Sequence, residues 1–251
     1  MMPGARFAVA AFALAAGLQA TTAGAAEIKV LSTTLMNSII AAAGPAFERA
    51  SGHKLAVTFD TTNILMGRIK AGETADVVIL TTPAIEELVK QGKVGGDSRV
   101  NVARSGVGIA VLAGAPKPDV STVEAFKKTL LAAKSISYTS SGASGLYFQS
   151  LCERLGIADA VKAKAKTRPG GAAAELVVTG EADIAVQQIG ELLAVPGVQV
   201  QPLPAEINNV TPFAAGLFAG ARDPEAARAF LKFLTSPDAV SAIKAKGMEP
   251  G

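Results

Sequence analysis

The sequence contains few of the side chains that carry nucleophilic and metal chemistry. Its 251 residues include no tryptophan, two tyrosines, one histidine (His53) and one cysteine (Cys152). A single cysteine excludes an intramolecular disulfide, and one cysteine with one histidine leaves too few ligands for a zinc site. His53 falls in a Ser-Gly-His-Lys turn, which does not indicate a Ser-His-Asp triad. We therefore predict no metal, no cofactor and no hydrolysis by these routes.

The lone cysteine itself has the surroundings of a core residue. Cys152 lies with Phe148, Leu151 and Leu155 on one face of a predicted helix. A thiol among apolar side chains packs as a small hydrophobic group and is a poor nucleophile. This pattern predicts a buried thiol.

An excess of either charge is also missing. The chain carries 24 Lys and Arg residues against 21 Asp and Glu residues, for a formal net charge of +3, and 5% of its residues are aromatic. Proteins that bind nucleic acids present concentrated basic surface and aromatic side chains on which bases stack. The balance of charge and the scarcity of aromatics therefore predict no nucleic-acid partner.

The first 26 residues have the pattern of an export signal. Arg6 is the one charge before an apolar run over residues 7–20, and small residues follow at 21–26. Signal peptidase recognises such a small-x-small pattern, and an apolar run of about 14 residues is shorter than the roughly 20 that a membrane-spanning helix needs. We therefore predict a cleavable signal peptide at 1–26 and a periplasmic mature protein.

Strand-like and helix-like segments alternate along the rest of the chain. Residues 27–32, 55–59 and 76–80 are apolar runs rich in β-branched residues, and each is followed by apolar residues at helical spacing. A second alternating series begins at residue 107, and in it Gly170 and Gly171 introduce a helix that is expected to run to Gly180. Such alternation is typical of parallel strands covered by helices, so we expect an α/β fold with two lobes.

The expected helix starts carry hydroxyl side chains. Thr82 precedes Pro83 as a predicted N-cap, and Ser121 with Glu124 have the spacing of a capping box. Residues 140–145, Ser-Ser-Gly-Ala-Ser-Gly, precede an amphipathic helix. Such a segment either caps the helix or leaves its first N–H groups free to bind an anion.

Polar residues follow most of the expected strands. Ligands of parallel α/β sheets bind beyond the carboxyl ends of the strands, which makes these positions candidates for binding. Their hydroxyls, amides and small residues offer neutral hydrogen-bond donors to an anion. No Walker A or Gly-x-Gly-x-x-Gly motif is present, so a nucleotide is not indicated. The segments are 32–34, 60–63, 81–82, 140–144, 170–172 and 187–188.

Four longer segments resemble one family, the periplasmic molybdate-binding proteins of ABC importers and the wider type 2 solute-binding proteins. The resemblance runs from Glu27 to the C-terminus as an order of elements with local signatures. The matching segments are STTLMNSI, FDTTNILMGRIKAGETADVVI, VVTGEADIAV and PEAARAFLKFLTSPDAVSAIKAKGM.

The resemblance implies an architecture, a partner and an assembly state. We expect the α/β, two-lobed type 2 periplasmic binding protein fold, in which each lobe is a mostly parallel sheet flanked by helices and the ligand cleft lies between the lobes. Lobe I would comprise residues 27–104 and 206–251, and lobe II residues 105–205. The family further implies a monomer that delivers a small anion (molybdate, tungstate or an organic carboxylate) to the permease of an ABC importer.

It also implies ligand-binding positions. The family's first oxyanion serine corresponds to Thr33 or Thr34, its second to Thr62, and its cleft tyrosine to Gln188. Its glycine-rich turn corresponds to the region of Ala172. Threonine keeps the hydroxyl of serine and adds a methyl group, which narrows the pocket. With two serines of the polar loops, the predicted binding residues are Thr33, Thr34, Thr62, Ser141, Ser144, Ala172 and Gln188.

Arginines join this set if the ligand is a carboxylate. A guanidinium group binds a carboxylate through two parallel hydrogen bonds. Arg104 lies near the expected first crossover between the lobes and is predicted to reach the cleft, while Arg68 and Arg168 are further candidates. The alternative for all three is a surface or interlobe salt bridge.

A branch of the same relatives suggests catalysis instead. The segments ARSGVGIAV, SSGASGLYF and AVQQIGELL resemble periplasmic aconitate isomerases, which move a proton within a tricarboxylate. Such an enzyme needs clamps for the carboxylates and one positioned acid or base. The titratable candidates beside the polar loops are Asp60, Tyr147 and Glu191. Their alternatives are an N-cap, a core residue and a solvated helix residue, respectively.

Overall fold

Two β-sheets, each flanked by helices, form two lobes in the computed structural model, which describes residues 24–251. Most of the predicted signal peptide lies outside that range. The two-lobed α/β architecture that the sequence predicts is confirmed. Within residues 24–251, no helix is long and apolar enough to cross a membrane.

Eleven strands and ten α-helices are found in the described chain. The strands are β1 (Glu27–Thr33), β2 (Lys54–Asp60), β3 (Val77–Thr81), β4 (Val100–Ser105), β5 (Val107–Leu112), β6 (Ile136–Thr139), β7 (Ala165–Arg168), β8 (Ile184–Gln188), β9 (Val198–Pro202), β10 (Thr211–Leu217) and β11 (Glu249–Pro250). The helices are α1 (Asn37–Ser51), α2 (Thr62–Lys70), α3 (Thr82–Lys90), α4 (Val123–Ala132), α5 (Ala143–Arg154), α6 (Ala158–Lys162), α7 (Glu175–Val178), α8 (Ile189–Leu192), α9 (Pro224–Phe233) and α10 (Pro237–Ala245). Short 3-10 turns lie at Thr34–Met36, Gly96–Ser98 and Ala205–Ile207.

Lobe I is built on a six-stranded sheet with the strand order β11-β4-β10-β3-β1-β2. In this sheet β1 runs parallel to β2 and β3, and β10 runs antiparallel to β3 and β4. Lobe II is built on a five-stranded sheet with the order β7-β6-β8-β5-β9, in which β6 is parallel to β7 and β8 while β5 is antiparallel to β8 and β9. Both sheets are thus mixed.

Two antiparallel strands, β5 and β10, enter their sheets from the other lobe. The chain crosses from β4 to β5 at Gly106 and returns between β9 and β10. The carboxyl ends of the parallel strands in both lobes face the cleft. A chain that crosses the cleft therefore enters the next sheet at its cleft-facing edge and runs away from the cleft. This direction makes β5 and β10 antiparallel to the neighbouring strands that end at the cleft. The sheets are consequently less parallel than expected.

Each lobe has its own hydrophobic core. In lobe I, the ring of Phe47 packs against those of Phe230 and Phe233, with centroids 5.2 and 5.3 Å apart. In lobe II, Tyr138 meets the edge of Phe148, and the buried Cys152 belongs to the same cluster. Burial raises the pKa of Cys152 to about 12, which agrees with the thiol predicted from the sequence.

Two predicted helix starts are displaced by one residue. Thr122, not Ser121, is the N-cap of α4, because its hydroxyl accepts from the N–H of Ala125 at 3.1 Å. Ser121 instead donates to Asp119 at 2.7 Å, so no capping box forms. Helix α3 begins at Thr82 rather than after it.

Part of lobe II was predicted wrongly. The helix expected to follow residues 170–171 up to residue 180 is confined to one turn, α7, and a loop precedes it. Two edge strands, β7 and β9, were not predicted. The alternation Val-Gln-Val-Gln in β9 is a period-two signal that could have identified it.

Candidate functional site

A small cavity, here called the hydroxyl cavity, lies between the two lobes. It has a volume of about 30 Å³. Apart from Glu191 its lining carries no charged side chain, and most of its polar groups are hydroxyls and amides. Lobe I contributes Thr33, Thr34, Leu35, Thr61, Thr62 and Phe213. Lobe II contributes Thr139, Gly142, Ala143, Ser144, Gly171, Gln187, Gln188 and Glu191.

The threonine at the end of β1 has a hydroxyl that no group among residues 24–251 satisfies. Thr33 is 4% exposed, and its Oγ1 is buried without a hydrogen-bond partner. An unsatisfied buried hydroxyl costs about 1–3 kcal/mol, so such groups occur where a ligand or water completes them. Thr33 therefore makes this cavity the candidate binding site.

The other threonines of lobe I are partly engaged in local structure. The Thr61 hydroxyl accepts from the N–H of Ile64 at 3.4 Å and caps α2. Thr62 Oγ1 accepts from the N–H of Thr81 at 3.3 Å. Each hydroxyl keeps a proton, which Thr62 can donate into the cavity. Thr61 was not among the predicted binding residues, although its polar loop was.

At the start of helix α5, residues 140–145 form no side-chain cap and leave the N-terminal end of the helix open. Its N-cap is Gly142, which has no side chain to cap it, and no side-chain cap bond forms. Ser144, which is buried, lines the cavity from the first turn. A Cβ on Gly145 would overlap the carbonyl oxygen of Thr139, so glycine lets α5 begin directly on the end of β6. The positive end of α5 thus faces the cavity uncapped, as an anion site requires.

Ser141, predicted as a ligand contact, joins the lobes instead of lining the cavity. Its hydroxyl donates to the carbonyl oxygen of Pro169 and lies 2.9 Å from Thr61 Oγ1. Its own carbonyl oxygen accepts from Asn63 Nδ2 at 3.1 Å. The bonds to Thr61 and Asn63 run from lobe II to the start of α2 in lobe I, and they join the two lobes across the cleft.

Gln188 also has two roles. It is buried, lines the cavity and lies where both crossovers pass. With its amide oxygen accepting from Thr211 Oγ1 at 3.0 Å, its nitrogen donates to the carbonyl oxygens of Ser105 at 2.8 Å and Gly106 at 3.1 Å. This orientation satisfies every partner and follows from the hydrogen-bond network. Gln188 therefore connects the cavity to the hinge.

Gln187, which the sequence left unassigned as a binding residue, holds the adjacent loop. Its Oε1 accepts from the N–H of Ala173 and its Nε2 donates to the carbonyl oxygen of Gly171, both at 2.9 Å. These bonds hold residues 171–173 as a loop where the sequence predicts a helix. Ala172 consequently faces a second cavity rather than the hydroxyl cavity.

Glu191 is the one titratable side chain of the hydroxyl cavity. Loss of solvent around its carboxyl raises the pKa of Glu191 to about 8, although the backbone N–H of Gln188 and the side chain of Gln187 act in the opposite direction. The group is therefore mainly protonated at neutral pH. A neutral carboxylic acid donates a hydrogen bond to an anion, and a group with this pKa can also exchange a proton near pH 7.

The other two acid–base candidates do not line the hydroxyl cavity. Asp60 accepts from the N–H of Thr61 at 2.8 Å, as a local turn residue. The Tyr147 hydroxyl donates to the carbonyl oxygen of Ile207 at 2.5 Å and accepts from Arg154 at 3.2 Å. Both side chains are therefore occupied in structural bonds.

None of the three candidate arginines lines the hydroxyl cavity. Arg104 is exposed and pairs with Glu249 at 2.7 Å, which corrects the expectation that it reaches the ligand. Arg68 pairs with Glu73 at 2.5 Å. Arg168 donates to Glu175 at 2.8 Å and to the carbonyl oxygen of Ala172 at 3.3 Å, beside the second cavity. The elements that carry these residues, β4 for Arg104, α2 for Arg68 and β7 for Arg168, direct them to the surface or to the rim.

The part of the chain that the structure describes contains no group of side chains suited to binding a metal ion. No group of three His, Cys, Asp or Glu side chains there could hold a metal ion.

Comparison with known proteins identifies relatives that share this fold. The chain is 38% identical over 230 residues to an aconitate isomerase from Pseudomonas sp., a match that covers 89% of this chain and 87% of that protein. It is 29% identical over 243 residues to the molybdate-binding protein ModA of Azotobacter vinelandii, covering 94% of each.

A solved structure and a family model agree with these relatives. The periplasmic molybdate-binding protein of Azotobacter vinelandii superposes with a TM-score of 0.76 at 20% identity, covering 88% of this chain and 98% of that one. Residues 28–249 match the family model described as bacterial extracellular solute-binding protein. With its two lobes, its interlobe cavity and a family match over nearly all of the described chain, the protein belongs to the bacterial extracellular solute-binding proteins.

Proposed function

We propose that the protein captures a small anion in the periplasm and presents it to the permease of an ABC importer as a monomer. The observation that carries the proposal is the buried, unpartnered hydroxyl of Thr33 in a cavity of neutral donors. Neutral hydroxyls and the open N-terminus of α5 stabilise an anion without a fixed positive charge. The molybdate-binding relative supports the same class of ligand.

Closure of the lobes is the capture step. The donors of the hydroxyl cavity come from both lobes, so the complete donor set exists only when the cleft is closed. The bonds of Ser141 to Thr61 and Asn63 stabilise that state. A bound anion adds its own bonds to both lobes and shifts the equilibrium further toward closure.

Calorimetric titration with an anion panel tests the capture. The panel consists of molybdate, sulfate, phosphate, citrate and the two aconitate isomers. Thr33→Val keeps the shape of the side chain and removes its hydroxyl. Thr82→Val is the matched control, because Thr82 Oγ1 is also buried and unpartnered but lies outside the cavity.

We expect the Thr33→Val protein to bind its anion about tenfold more weakly, which corresponds to 1.4 kcal/mol, and the Thr82→Val protein to bind like the wild type. Both should fold normally, since each loses an unsatisfied polar group. Failure of every anion to bind the wild type, or equal affinity in all three proteins, would overturn the proposal.

Isomerisation of aconitate is the second candidate, and Glu191 is the observation that favours it. The 38% identical relative is an aconitate isomerase, and Glu191 offers a protonatable group in the same cavity. In the ionised form its carboxylate would take a proton from the methylene carbon of a tricarboxylate. Returning that proton to the other end of the allylic system moves the double bond, so neither an oxidant nor a cofactor is consumed.

Proton NMR of the protein with trans-aconitate distinguishes the two candidates. An isomerase converts trans-aconitate to cis-aconitate, and Glu191→Gln should abolish turnover while retaining binding, because glutamine keeps the size and the hydrogen bonds of the neutral acid. Binding without conversion by the wild type leaves anion capture alone. Full turnover by the Glu191→Gln protein would show that another group moves the proton.

A further inference from the structure

A second cavity adjoins the hydroxyl cavity within the same cleft, and its volume is about 280 Å³. The two cavities share three wall residues, Thr34, Leu35 and Glu191. Lobe I completes the second cavity with Asn37 and Ser38 at the start of α1, and lobe II with Ala172 and Ala194 among others. Glu191 therefore stands between the two spaces.

The second cavity has an unsatisfied hydroxyl of its own. Ser38 Oγ is buried without a hydrogen-bond partner. It lies in the first turn of α1, a helix of 15 residues whose N-cap position forms no side-chain cap bond. A free hydroxyl donor at the positive end of a long helix favours an anionic group.

A cation also lies at the rim of this cavity. The Arg168 guanidinium donates to the carbonyl oxygen of Ala172 at 3.3 Å and to Glu175 at 2.8 Å. Glu175 lines the second cavity, and its pairing with Arg168 offsets its negative charge. The polar groups that line this space are thus two hydroxyls, an amide, the Glu175 carboxylate that is paired with Arg168, and the Glu191 carboxyl.

The sizes of the two cavities assign different parts of a ligand to them. A cavity needs a volume of roughly 10–15 Å³ to hold one water molecule. The hydroxyl cavity, with about 30 Å³, therefore has room for about two water-sized groups. Two oxygens of a carboxylate match that space, whereas the carbon chain of a larger acid does not. The adjoining cavity, with about 280 Å³, accommodates the remainder.

We propose that the ligand is an extended organic acid with at least two carboxylates, one in the hydroxyl cavity and one beyond Glu191 near Ser38. This inference rests on the proposed anion capture and specifies the class of anion. Glu191 then lies beside the carbon chain that joins the carboxylates. A compact tetrahedral oxyanion does not extend beyond Glu191 and leaves the Ser38 hydroxyl unsatisfied.

Titration of the wild-type protein with acids of different length tests the inference. Tricarballylate and trans-aconitate are the extended probes, and acetate and molybdate the compact ones. Ala194→Leu fills the second cavity from an exposed position, and Ser38→Ala removes its free donor. Ala41→Leu is the matched control, because Ala41 is exposed on α1 and lines neither cavity.

The extended acids should bind the Ala194→Leu and Ser38→Ala proteins about tenfold more weakly than the wild type, with compact anions changed by less than about twofold. The Ala41→Leu protein should match the wild type for every probe. Equal weakening of both probe classes, no weakening of either, or binding of compact anions alone would overturn the inference while leaving anion capture standing. If neither class binds the wild type, anion capture itself fails and the inference with it.

Discussion

The two lobes place an aspartate at the same point of their sheets, yet they bury it differently. Asp76 directly precedes β3 in lobe I, and Asp183 directly precedes β8 in lobe II. Asp76 is 2% exposed and accepts from the N–H groups of Lys29 at 2.8 Å and Arg222 at 2.7 Å. Asp183 is exposed and accepts from the N–H of Lys134 at 2.6 Å. The same local pattern therefore ties neighbouring segments in both lobes, while lobe I also uses it to fix the chain before α9.

The lobes also differ in what they bring to the cleft. Lobe I supplies side-chain hydroxyls on threonines at the ends of β1 and β2. Lobe II supplies a helix start without a side-chain cap and the one ionisable group, Glu191. The comparison indicates that lobe I provides constant donors, whereas one donor of lobe II, the Glu191 carboxyl, depends on pH.

The largest expected effect separates the two aspartates. Asp76→Ala should lower the free energy of unfolding by about 3 kcal/mol, because two partly buried N–H groups lose a charged, buried acceptor, and Asp183→Ala by about 1 kcal/mol. Urea unfolding followed by circular dichroism measures both. Equal losses would mean that burial of Asp76 adds nothing to its stabilising role.

The next effect compares one hydroxyl from each lobe. Thr33→Val removes a donor of lobe I, and Ser144→Ala removes one of lobe II. Each hydrogen bond to a charged ligand contributes about 1.5–3 kcal/mol, so each substitution should weaken anion binding by at least about tenfold. Calorimetric titration gives the affinities. An effect from one lobe alone would show that the anion binds to that lobe without closure.

A pH-dependent effect between about pH 5 and pH 8 should come from Glu191 in lobe II. The folded state raises the pKa of Glu191 from 4.5 to about 8, so between these values the folded protein keeps a proton that the unfolded chain has lost. The free energy of unfolding contributed by this group is therefore highest below about pH 4.5 and falls as the pH rises toward 8. Anion affinity should fall over the upper end of that range, since an ionised Glu191 repels the ligand.

Glu191→Gln provides the control for that dependence. Its stability should lack this decline between about pH 5 and pH 8, and its anion affinity should vary less near pH 8. Unfolding and titration at several pH values measure both quantities. The same slope in wild type and variant would mean that Glu191 is ionised at neutral pH.

The smallest effect concerns the thiol of lobe II. The raised pKa of Cys152, about 12, leaves almost no thiolate near pH 8, and the side chain is buried. Native protein should therefore not react with 5,5′-dithiobis(2-nitrobenzoate) within minutes, whereas protein in urea should release one equivalent of chromophore. Rapid reaction of the native protein would show that the lobe II core opens locally.

Much of the cavity could be predicted from the position of polar residues after strands. Thr33, Thr34, Thr62, Ser144 and Gln188 were named from the sequence and do line it. Parallel strands end at a common edge, so side chains distant in sequence meet there. The rule uses only the position of a residue along its strand, and the hydrophobic pattern of the sequence reveals that position.

The misplaced residues show what that rule leaves out. Ser141 bonds across the cleft, Ala172 faces the second cavity, and Arg104 pairs with Glu249 at the surface. A position near the cleft does not determine where a side chain points, because its direction depends on partners from distant parts of the chain. Glu249 is far from Arg104 in sequence and becomes its neighbour only when β11 adds to β4.

The sequence by itself determined the alternation of strands and helices, the buried Cys152 and the hydroxyl-rich ends of the strands, because these follow from local periodicity and residue type. Only the tertiary structure decided which hydroxyls stay free, since Thr33 lacks a partner while Ser141 has several. The proton on Glu191 is likewise a tertiary property. Its carboxyl loses solvent because two lobes, joined by distant crossovers, close around it.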